Sequence, residues 1–185
     1  MKLLIEKMKS SINELKNTKN IAIVGMLIAI AVLLGFFATI QIGEFIKIGF
    51  SFIPNELTAM LFGPFVAGIM AGISDILKFT IKSTGNFIPG FTISSILSGF
   101  IYGFILYKNP ISLKRIIFAK LITTIFINTI LNTYWLTIFY GKAFFILLAT
   151  RIPKQLIMFP IEVFIFYAIV KSLDKILKQI KTNKL

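Results

Sequence analysis

Apolar runs of about one membrane thickness recur along the chain, separated by short polar or turn-forming segments. The first runs from about Ile21 to Ile40, which at about 1.5 Å per residue is long enough to cross a bilayer core of about 30 Å. The pattern predicts an all-α integral membrane protein, a bundle of six transmembrane helices. The other five segments are predicted at about Ile48 to Phe62, Phe65 to Ile81, Phe91 to Tyr107, Ile116 to Phe139 and Thr150 to Val170.

The second of these segments carries Pro54, Asn55 and Glu56 inside an otherwise apolar run. Polar groups are tolerated at membrane depth only where neighbouring protein or a wet cavity satisfies them, so Asn55 and Glu56 are expected to face inward. Gly63 and Pro64 predict a tight turn before the third segment.

Basic residues flank the apolar runs and determine the predicted orientation. The chain has 20 Lys and Arg against 7 Asp and Glu, a net charge of +13, and lysines cluster before the first run and after the last. The positive-inside rule therefore predicts cytoplasmic termini, with residues 41–47 and 85–90 in outer loops. Because the charge lies beside membrane segments, no nucleic-acid partner is expected. The predicted regions are a basic segment at 1–19, a transmembrane domain at 20–171 and a basic tail at 172–185.

Residues 3–15 leave two interpretations open. Ile5, Met8, Ile12 and Leu15 recur at helical spacing opposite lysines, which predicts an amphipathic helix on the cytoplasmic membrane surface. A frayed basic tail fits the same composition.

The composition also excludes several kinds of chemistry. The sequence contains no cysteine and no histidine, so disulfides, thiolate metal sites and the usual general base near neutral pH are all missing. It contains no G-x-x-x-x-G-K phosphate loop, and therefore no recognisable ATP site. We expect no metal, no cofactor and no enzymatic activity.

Six basic residues fall on or near the predicted outer side, where the orienting rule disfavours them. Snorkelling to the interface explains Lys47 and Lys82. It explains Arg151 and Lys154 less well, because polar residues continue that helical face into the membrane, and an anionic ligand entering from outside would compensate their charge. Asp75 stands three residues before Lys78, a spacing that supports an ion pair, either self-satisfied or presented to a cavity. The six are Lys47, Lys78, Lys82, Lys142, Arg151 and Lys154.

The fifth segment carries a polar stripe. Lys120, Thr124, Asn128 and Asn132 recur every fourth residue, with Trp135 one turn further. Asparagine donates and accepts hydrogen bonds, which suits a nitrogen heterocycle, and the nearby aromatic rings offer stacking surfaces. Polar contacts between helices and aromatic anchoring at the interface are the alternative. The additional aromatic candidates are Tyr134 and Tyr140.

Small residues line two faces of the first segment and permit close backbone approach. One face has Ala22, Gly25 and Ala29, and the other includes Ala31 and Gly35. Packing within the bundle and docking of a partner subunit are both compatible with this pattern.

Several stretches together resemble a known family. IKIGFSFIP, MLFGPFVAGIMAGISD, FIPGFTISSILSGFIYG, LNTYWLTIFYGKAF and TRIPKQLIMFPIE are similar to segments of the folate-specific substrate-binding (S) component of energy-coupling factor (ECF) vitamin transporters, over roughly residues 20–170. The resemblance implies a six-helix protein of the cell membrane that captures folate from outside. It also implies partners, namely a coupling membrane subunit and two cytoplasmic ATPase subunits.

The resemblance implies roles for particular residues. Folate joins a flat pterin to a glutamyl tail with two carboxylates. The tail would meet Lys142, Arg151 or Lys154, and the pterin would meet the polar and aromatic candidates. Those candidates are Asn132, Trp135, Phe91 and Tyr140, with Asn128, Asp75 and Lys78 as further lining residues.

The first segment departs from the family in two respects. The Ala-x-x-x-Ala docking motif of relatives has its nearest match in Gly25-x-x-x-Ala29, so the predicted docking residues are Ala22, Gly25 and Ala29. Relatives often have an arginine where this chain has Gly35, Phe36 and Phe37.

Three other functions remain as alternatives. An S component for another vitamin, such as riboflavin or thiamin, would have the same architecture and a different pocket. A stand-alone carrier or channel would need no ATPase. An intramembrane enzyme would have to depend on Asp75, Glu56 or Glu162.

Overall fold

The computed structural model describes residues 2–42, 46–81, 86–141 and 143–182, and most of them are helical. Five helical stretches in these ranges are long and apolar enough to span a membrane. The expected helical membrane architecture is therefore confirmed at the level of five candidate spans. In chain order the elements are α1 (Lys2–Glu14), α2 (Thr18–Phe37), β1 (Thr39–Ile42), β2 (Ile46–Gly49), α3 (Phe52–Ile81), α4 (Pro89–Leu106), α5 (Leu113–Ile122), a π-helix (Thr123–Leu131), α6 (Asn132–Tyr140) and α7 (Phe144–Thr182).

Two strands occupy much of the region predicted as the end of the first helix and an outer loop. β1 pairs antiparallel with β2, with Thr39 opposite Gly49 and Ile42 opposite Ile46. The run was predicted as helix from its apolar residues, but isoleucine and threonine are β-branched and favour strands. The predicted loop at 41–47 is wrong for its described residues, while residues 43–45 lie outside the described ranges.

The last helix is longer than predicted at both ends. α7 begins at Phe144 instead of Thr150, and it continues to Thr182 through most of the stretch predicted as a basic tail. Lysines have good helix propensity, so the charge that ends an apolar run does not end a helix.

α3 is two helical halves that fold back on each other at Gly63. Gly63 has φ 86° and ψ −176°, a conformation that only glycine adopts without strain, and Pro64 follows it. The Ser74 hydroxyl donates a hydrogen bond to Asn55 Oδ1 at 3.5 Å, although a straight helix would separate these residues by about 28 Å. The tight turn predicted at Gly63 and Pro64 is therefore confirmed as a reversal of direction.

A serine from α1 fills the break in the α3 hydrogen-bond ladder. In an uninterrupted helix Val66 N–H would donate to Phe62 C=O. Instead Val66 N–H donates to Ser11 Oγ at 3.2 Å, and the Ser11 hydroxyl donates to Phe62 C=O at 2.6 Å. Ser11 is fully buried, so one side chain satisfies both backbone groups that the kink leaves open.

Further polar contacts hold α1 against the end of α4. Lys7 Nζ donates to the Phe104 carbonyl at 2.8 Å, and the Tyr107 hydroxyl donates to Glu14 Oε1 at 2.6 Å. Burial and the nearby Arg115 lower the pKa of Lys7, while burial and the bond to Glu14 raise the pKa of Tyr107 to about 12. The residues 3–15 are thus a docked helix, and the interpretation as a frayed tail is wrong.

The described residues form three apolar clusters in the protein interior. The largest joins α3, α4, α5 and α7 around Leu57, Tyr102 and Phe166, and a second joins α2 to α3 around Val24 and Met70. The third lies near the α6–α7 connection and consists of Ile88, Leu136 and Leu147, with Phe91 and Trp135 packed against it. Large apolar side chains are exposed around the bundle, as expected of surfaces that face lipid.

Replacement Ser11→Ala should destabilise the protein by about 1–3 kcal/mol, because it leaves Phe62 C=O and Val66 N–H buried without a partner. Thermal unfolding of the detergent-purified chain measures this. Asn13→Ala, an exposed position on the same helix, is the matched control and should change little. If Ser11→Ala and Asn13→Ala unfold at the same temperature, the Ser11 hydroxyl does not stabilise the kink in α3.

Candidate functional site

A buried ion triad joins three helical elements in the interior. Lys120 Nζ of α5 lies 2.8 Å from Glu56 Oε1 of α3 and 2.5 Å from Glu162 Oε2 of α7. The side chains of Lys120 and Glu56 are each 4% exposed, and that of Glu162 is 16% exposed. Charges at this depth are tolerated when paired, so the triad explains why three ionisable residues lie within apolar runs.

Aromatic rings enclose the ammonium group of Lys120. Its Nζ lies 4.5 Å from the centroid of the Phe52 ring and 5.9 Å from that of Tyr102, distances at which cation–π attraction operates. The Tyr102 hydroxyl lies near Glu56 and Thr123. It is buried and has no hydrogen bond of ordinary geometry with any described residue.

A polar cavity of about 200 Å³ opens beside the triad. Complete pockets for drug-sized ligands measure roughly 300–1,000 Å³, so this cavity fits one part of such a ligand. Its walls come from α3, α4, α5, the π-helix and α7, together with the residue before α3. The lining residues are Ser51, Phe52, Asn55, Glu56, Ala71, Lys78, Ser95, Ser98, Gly99, Tyr102, Lys120, Thr123, Asn128 and Glu162.

The π-helix rearranges the predicted polar stripe. Lys120 and Asn128 line the cavity as predicted, but they do so with Thr123, and neither Thr124 nor Asn132 is among the lining residues. In a π-helix the backbone hydrogen bonds join residues five apart, one more than in an α-helix. The Thr129 hydroxyl likewise donates to the carbonyl of Thr124, five residues earlier. The regular every-fourth-residue stripe is therefore wrong in detail, because the helix does not keep its α period here.

Asn132 and Trp135 lie further along the same helical stretch. The Asn132 Oδ1 atom is buried and has no hydrogen-bond partner in the described part of the chain. Trp135 Nε1 donates to Ser94 Oγ at 3.2 Å, and its ring covers Gly90, where a Cβ atom would collide with it. Phe91 and Trp135 contact the same apolar cluster, so their rings form an apolar wall between α4 and α6.

The predicted cations of α7 differ in their surroundings. Arg151 is only 8% exposed, and no hydrogen bond or ion pair of its guanidinium is found among the described residues. Lys154 is partly buried, and Arg151, Glu162 and Lys120 all act on it electrostatically.

Tyr140, at the end of α6, is 41% exposed. Lys142 lies outside the described residues.

Asp75 and Lys78 do not form the predicted ion pair in the described structure. Asp75 Oδ2 accepts a hydrogen bond from the Thr92 hydroxyl at 2.8 Å. Lys78 instead lines the cavity, and its aliphatic stem packs over Gly35, where a Cβ atom would lie 2.5 Å from Lys78 Cδ. Lys78 meets the cavity without Asp75, which is bound by Thr92 of α4, so the predicted pair is wrong in both of its forms among the described residues.

The small-residue faces of α2 have different environments. Ala31 is fully buried, so its face packs within the protein. Ala22, Gly25 and Ala29 are exposed, and a Cβ atom at Gly25 would meet nothing within 4 Å. Internal packing is therefore not the reason for the second set. Its docking role stays a prediction.

Comparison with known proteins gives the family. The model of "ECF transporter, substrate-specific component" matches residues 19–170. The chain belongs to this family. A curated folate transporter, FolT of Clostridium novyi (strain NT), is 42% identical over 131 residues, covering 71% of this chain and 76% of the relative. FolT of Leuconostoc mesenteroides is 29% identical over 163 residues, covering 84% and 86%.

A solved structure is also similar. The crystal structure of FolT bound with folic acid superimposes on this S component with a TM-score of 0.79 at 38% sequence identity. The match covers 84% of this chain and 95% of that one. The resemblance stated from the sequence is thus confirmed, and the family is that of a transporter component and not of an enzyme.

Sequence reasoning missed most of the cavity. Asn55 and Glu56 were correctly expected to face inward, but their meeting with Lys120 and Glu162 was not expected. The signal was available, since each of these charges interrupts an apolar run and a lone charge at that depth is costly. Ser95, Ser98 and Tyr102 carried no such signal, because serine and tyrosine are common in membrane helices.

Removal of the Lys120 ammonium group should strongly destabilise this S component. Lys120→Met leaves two buried carboxylates without their partner, and we expect a loss of about 3–5 kcal/mol. The triple variant Lys120→Met, Glu56→Gln, Glu162→Gln has no charge left to compensate and should recover most of that loss. Unfolding followed by the fluorescence of Trp135, the only tryptophan in the sequence, measures both. If the two variants unfold alike, charge pairing is not what stabilises the triad.

Proposed function

We propose that this S component binds folate from outside the cell and delivers it for import. The support comes from its membership of the family and from its similarity to curated folate transporters. A second support is the 38% identical structure described as FolT bound with folic acid. A folate requires two unlike subsites, one for a flat heterocycle and one for carboxylates.

The burial of Arg151 without a described partner is the observation that supports this proposal most strongly. The residue is only 8% exposed, and its guanidinium has no hydrogen bond or ion pair among the described residues. An isolated buried cation is costly, and a carboxylate that binds it through two parallel hydrogen bonds removes the cost. We assign the glutamyl tail to Arg151, with Lys154 and Lys142 as the further cations.

The polar cavity and the apolar wall are the remaining parts of the proposed site. Asn128 and Lys78 line the cavity and can hydrogen-bond to a heterocycle. The unpaired oxygen of Asn132 lies at the side of the helix that carries Trp135. We also keep Asp75, Phe91 and Tyr140 as candidate contacts of the bound ligand.

Import requires partners that supply energy. The sequence contains no phosphate loop, so we propose that a coupling membrane subunit and two ATPase subunits complete the transporter. The exposed face formed by Ala22, Gly25 and Ala29 is the proposed docking face, since small residues allow a partner helix to approach closely.

We further propose six crossings of the cell membrane with both termini in the cytoplasm, counting the two halves of α3 separately. The transmembrane domain is then residues 20–171, flanked by basic segments at 1–19 and 172–185. Six crossings with cytoplasmic termini place α1, the turn at Gly63 and the end of α4 on the same side of the membrane. Contacts of α1 with both Gly63 and Tyr107 support this arrangement. The positive-inside rule adds the basic residues beside them.

Binding measurements test the ligand and the role of Arg151. The detergent-purified protein should bind folic acid at micromolar concentration or tighter. Arg151→Ala should weaken folic acid at least about tenfold, because a charged hydrogen bond to the tail is lost. The variant should bind 6-hydroxymethylpterin, which has no tail, as the unmodified protein does. Arg151→Lys should lie between them, since lysine keeps the charge without the planar fork.

Lys171→Ala, a basic position at the other end of α7, is the control and should bind folic acid normally. Absence of folic acid binding to the unmodified chain, with binding of riboflavin or thiamin, would reject the folate assignment. Unchanged folic acid affinity in Arg151→Ala would reject the tail subsite alone.

Labelling of single cysteines tests the orientation, because the sequence has no cysteine of its own. Lys16→Cys and Lys114→Cys should react with a membrane-impermeant maleimide only after the cells are permeabilised. Asn86→Cys should react in intact cells. The reverse pattern would contradict cytoplasmic termini.

A further inference from the structure

The helix α1 is attached to the bundle by its polar side. Ser11 binds backbone groups of the α3 turn, and Lys7 binds the Phe104 carbonyl. Glu14 accepts the hydrogen bond of the Tyr107 hydroxyl. A helix on the surface of a globular protein normally turns its apolar side inward. Because α1 is docked in the reverse sense, its apolar side chains are available to another partner.

Four apolar side chains of α1 form a stripe beside the docked face. Leu4, Ile5 and Ile12 are exposed, and Met8 is partly buried. Positions 4, 8 and 12 recur every fourth residue, with position 5 beside them, so they share one side of the helix. Ile12 follows Ser11 directly and therefore lies about 100° round the helix from it. The apolar stripe thus points sideways from the bundle.

α1 lies where membrane-spanning helices end. It contacts the turn at Gly63 and also Tyr107, the residue directly after α4. The span α2 begins at Thr18, shortly after α1 ends at Glu14. A helix beside the ends of transmembrane segments lies at the level of the lipid headgroups, where an apolar stripe is buried at the boundary with the acyl chains. The bilayer surface can therefore cover this stripe.

Lysines border the apolar stripe on the side away from the docked face. Lys9 lies about 60° round the helix from Ile12, and Lys16 follows in the turn that ends α1. Both lysines are exposed, and the exposed Glu6 is further from the stripe, about 120° from Ile12. Lysines near a membrane surface are attracted by anionic headgroups. The charge therefore favours an anionic lipid surface.

We propose that α1 is a binding element for anionic phospholipid, with the apolar stripe at the boundary of the acyl chains and Lys9 and Lys16 at the lipid phosphates. Lipid on one side and the α3 turn at Ser11 on the other hold the helix between them. No residue of α1 is among those that line the polar cavity. The lipid site is therefore separate from that cavity and goes beyond the proposed function.

Spin labels on single cysteines test where the two sides of α1 lie. The full chain carries Ile12→Cys or, as the matched control, Asn13→Cys, an exposed position about 100° further from the docked face. The vesicles consist of three parts phosphatidylcholine and one part phosphatidylglycerol. The ratio of collisions with oxygen, which dissolves in lipid, to those with a neutral water-soluble nickel chelate should be at least about threefold higher at position 12. Equal ratios at the two positions would overturn the proposal, including any burial of the stripe that needs a protein partner.

Removal of the lysines tests the preference for anionic lipid. Compared with phosphatidylcholine alone, the mixed vesicles should raise the ratio at Ile12→Cys at least about twofold. The double variant Lys9→Gln, Lys16→Gln should abolish this rise. The control Lys114→Gln, Lys171→Gln removes the same charge from exposed positions on α5 and α7 and should retain it.

Absence of the rise, or its equal loss in both double variants, contradicts a specific site on α1. If a double variant does not fold, the two vesicle types still decide with the lysines unmodified. Both leaflets of each vesicle have the same composition, so the result is independent of the proposed orientation and of folate binding.

Discussion

The arrangement of the interior depends on one buried cation, Lys120, shared between two carboxylates. It connects α5 with the first half of α3 and with α7, three elements far apart in sequence. Unpaired charges at this depth are costly, so packing of these elements is favoured in a register that brings the three groups into contact. The cavity lies beside these three groups, which form part of its lining together with other polar side chains.

Around this centre, polar side chains line the cavity, and apolar side chains form a separate wall between α4 and α6. Packing of Phe91 and Trp135 against Ile88, Leu136 and Leu147 joins α4 to α6 near the α6–α7 connection. Ser94 receives the Trp135 N–H, so the largest ring in this wall is fixed in orientation. Among the described residues, Tyr102 lines the cavity and Asn132 lies one turn before Trp135, and each has a buried polar atom without a hydrogen-bond partner. Unsatisfied buried polar atoms are rare in structural cores.

Much of the architecture could be predicted from the sequence, and the failures have physical reasons. Glu56 and Gly63 were informative because charge at membrane depth and a glycine–proline pair have few structural solutions. The strands at Thr39–Ile42 and Ile46–Gly49 were missed because β-branched apolar residues continue a hydrophobic run without marking where the helix ends. The π-helix was missed because no residue type requires it, and it altered which face of Thr123–Leu131 meets the cavity. Asn128 and Lys78, which spacing and charge had indicated, line the cavity. The serines and Tyr102 become apparent only when packing brings α4 to the cavity.

The Ser11 contact links the start of the chain to the order in which the protein is assembled. The hydroxyl is synthesised about fifty residues before the two backbone groups that it satisfies. While the hairpin of α3 enters the membrane, Phe62 C=O and Val66 N–H have no protein partner until α1 covers the turn at Gly63. The turn of α3 is therefore completed by a side chain that was synthesised earlier, and a change in α1 acts on a turn about fifty residues away in sequence.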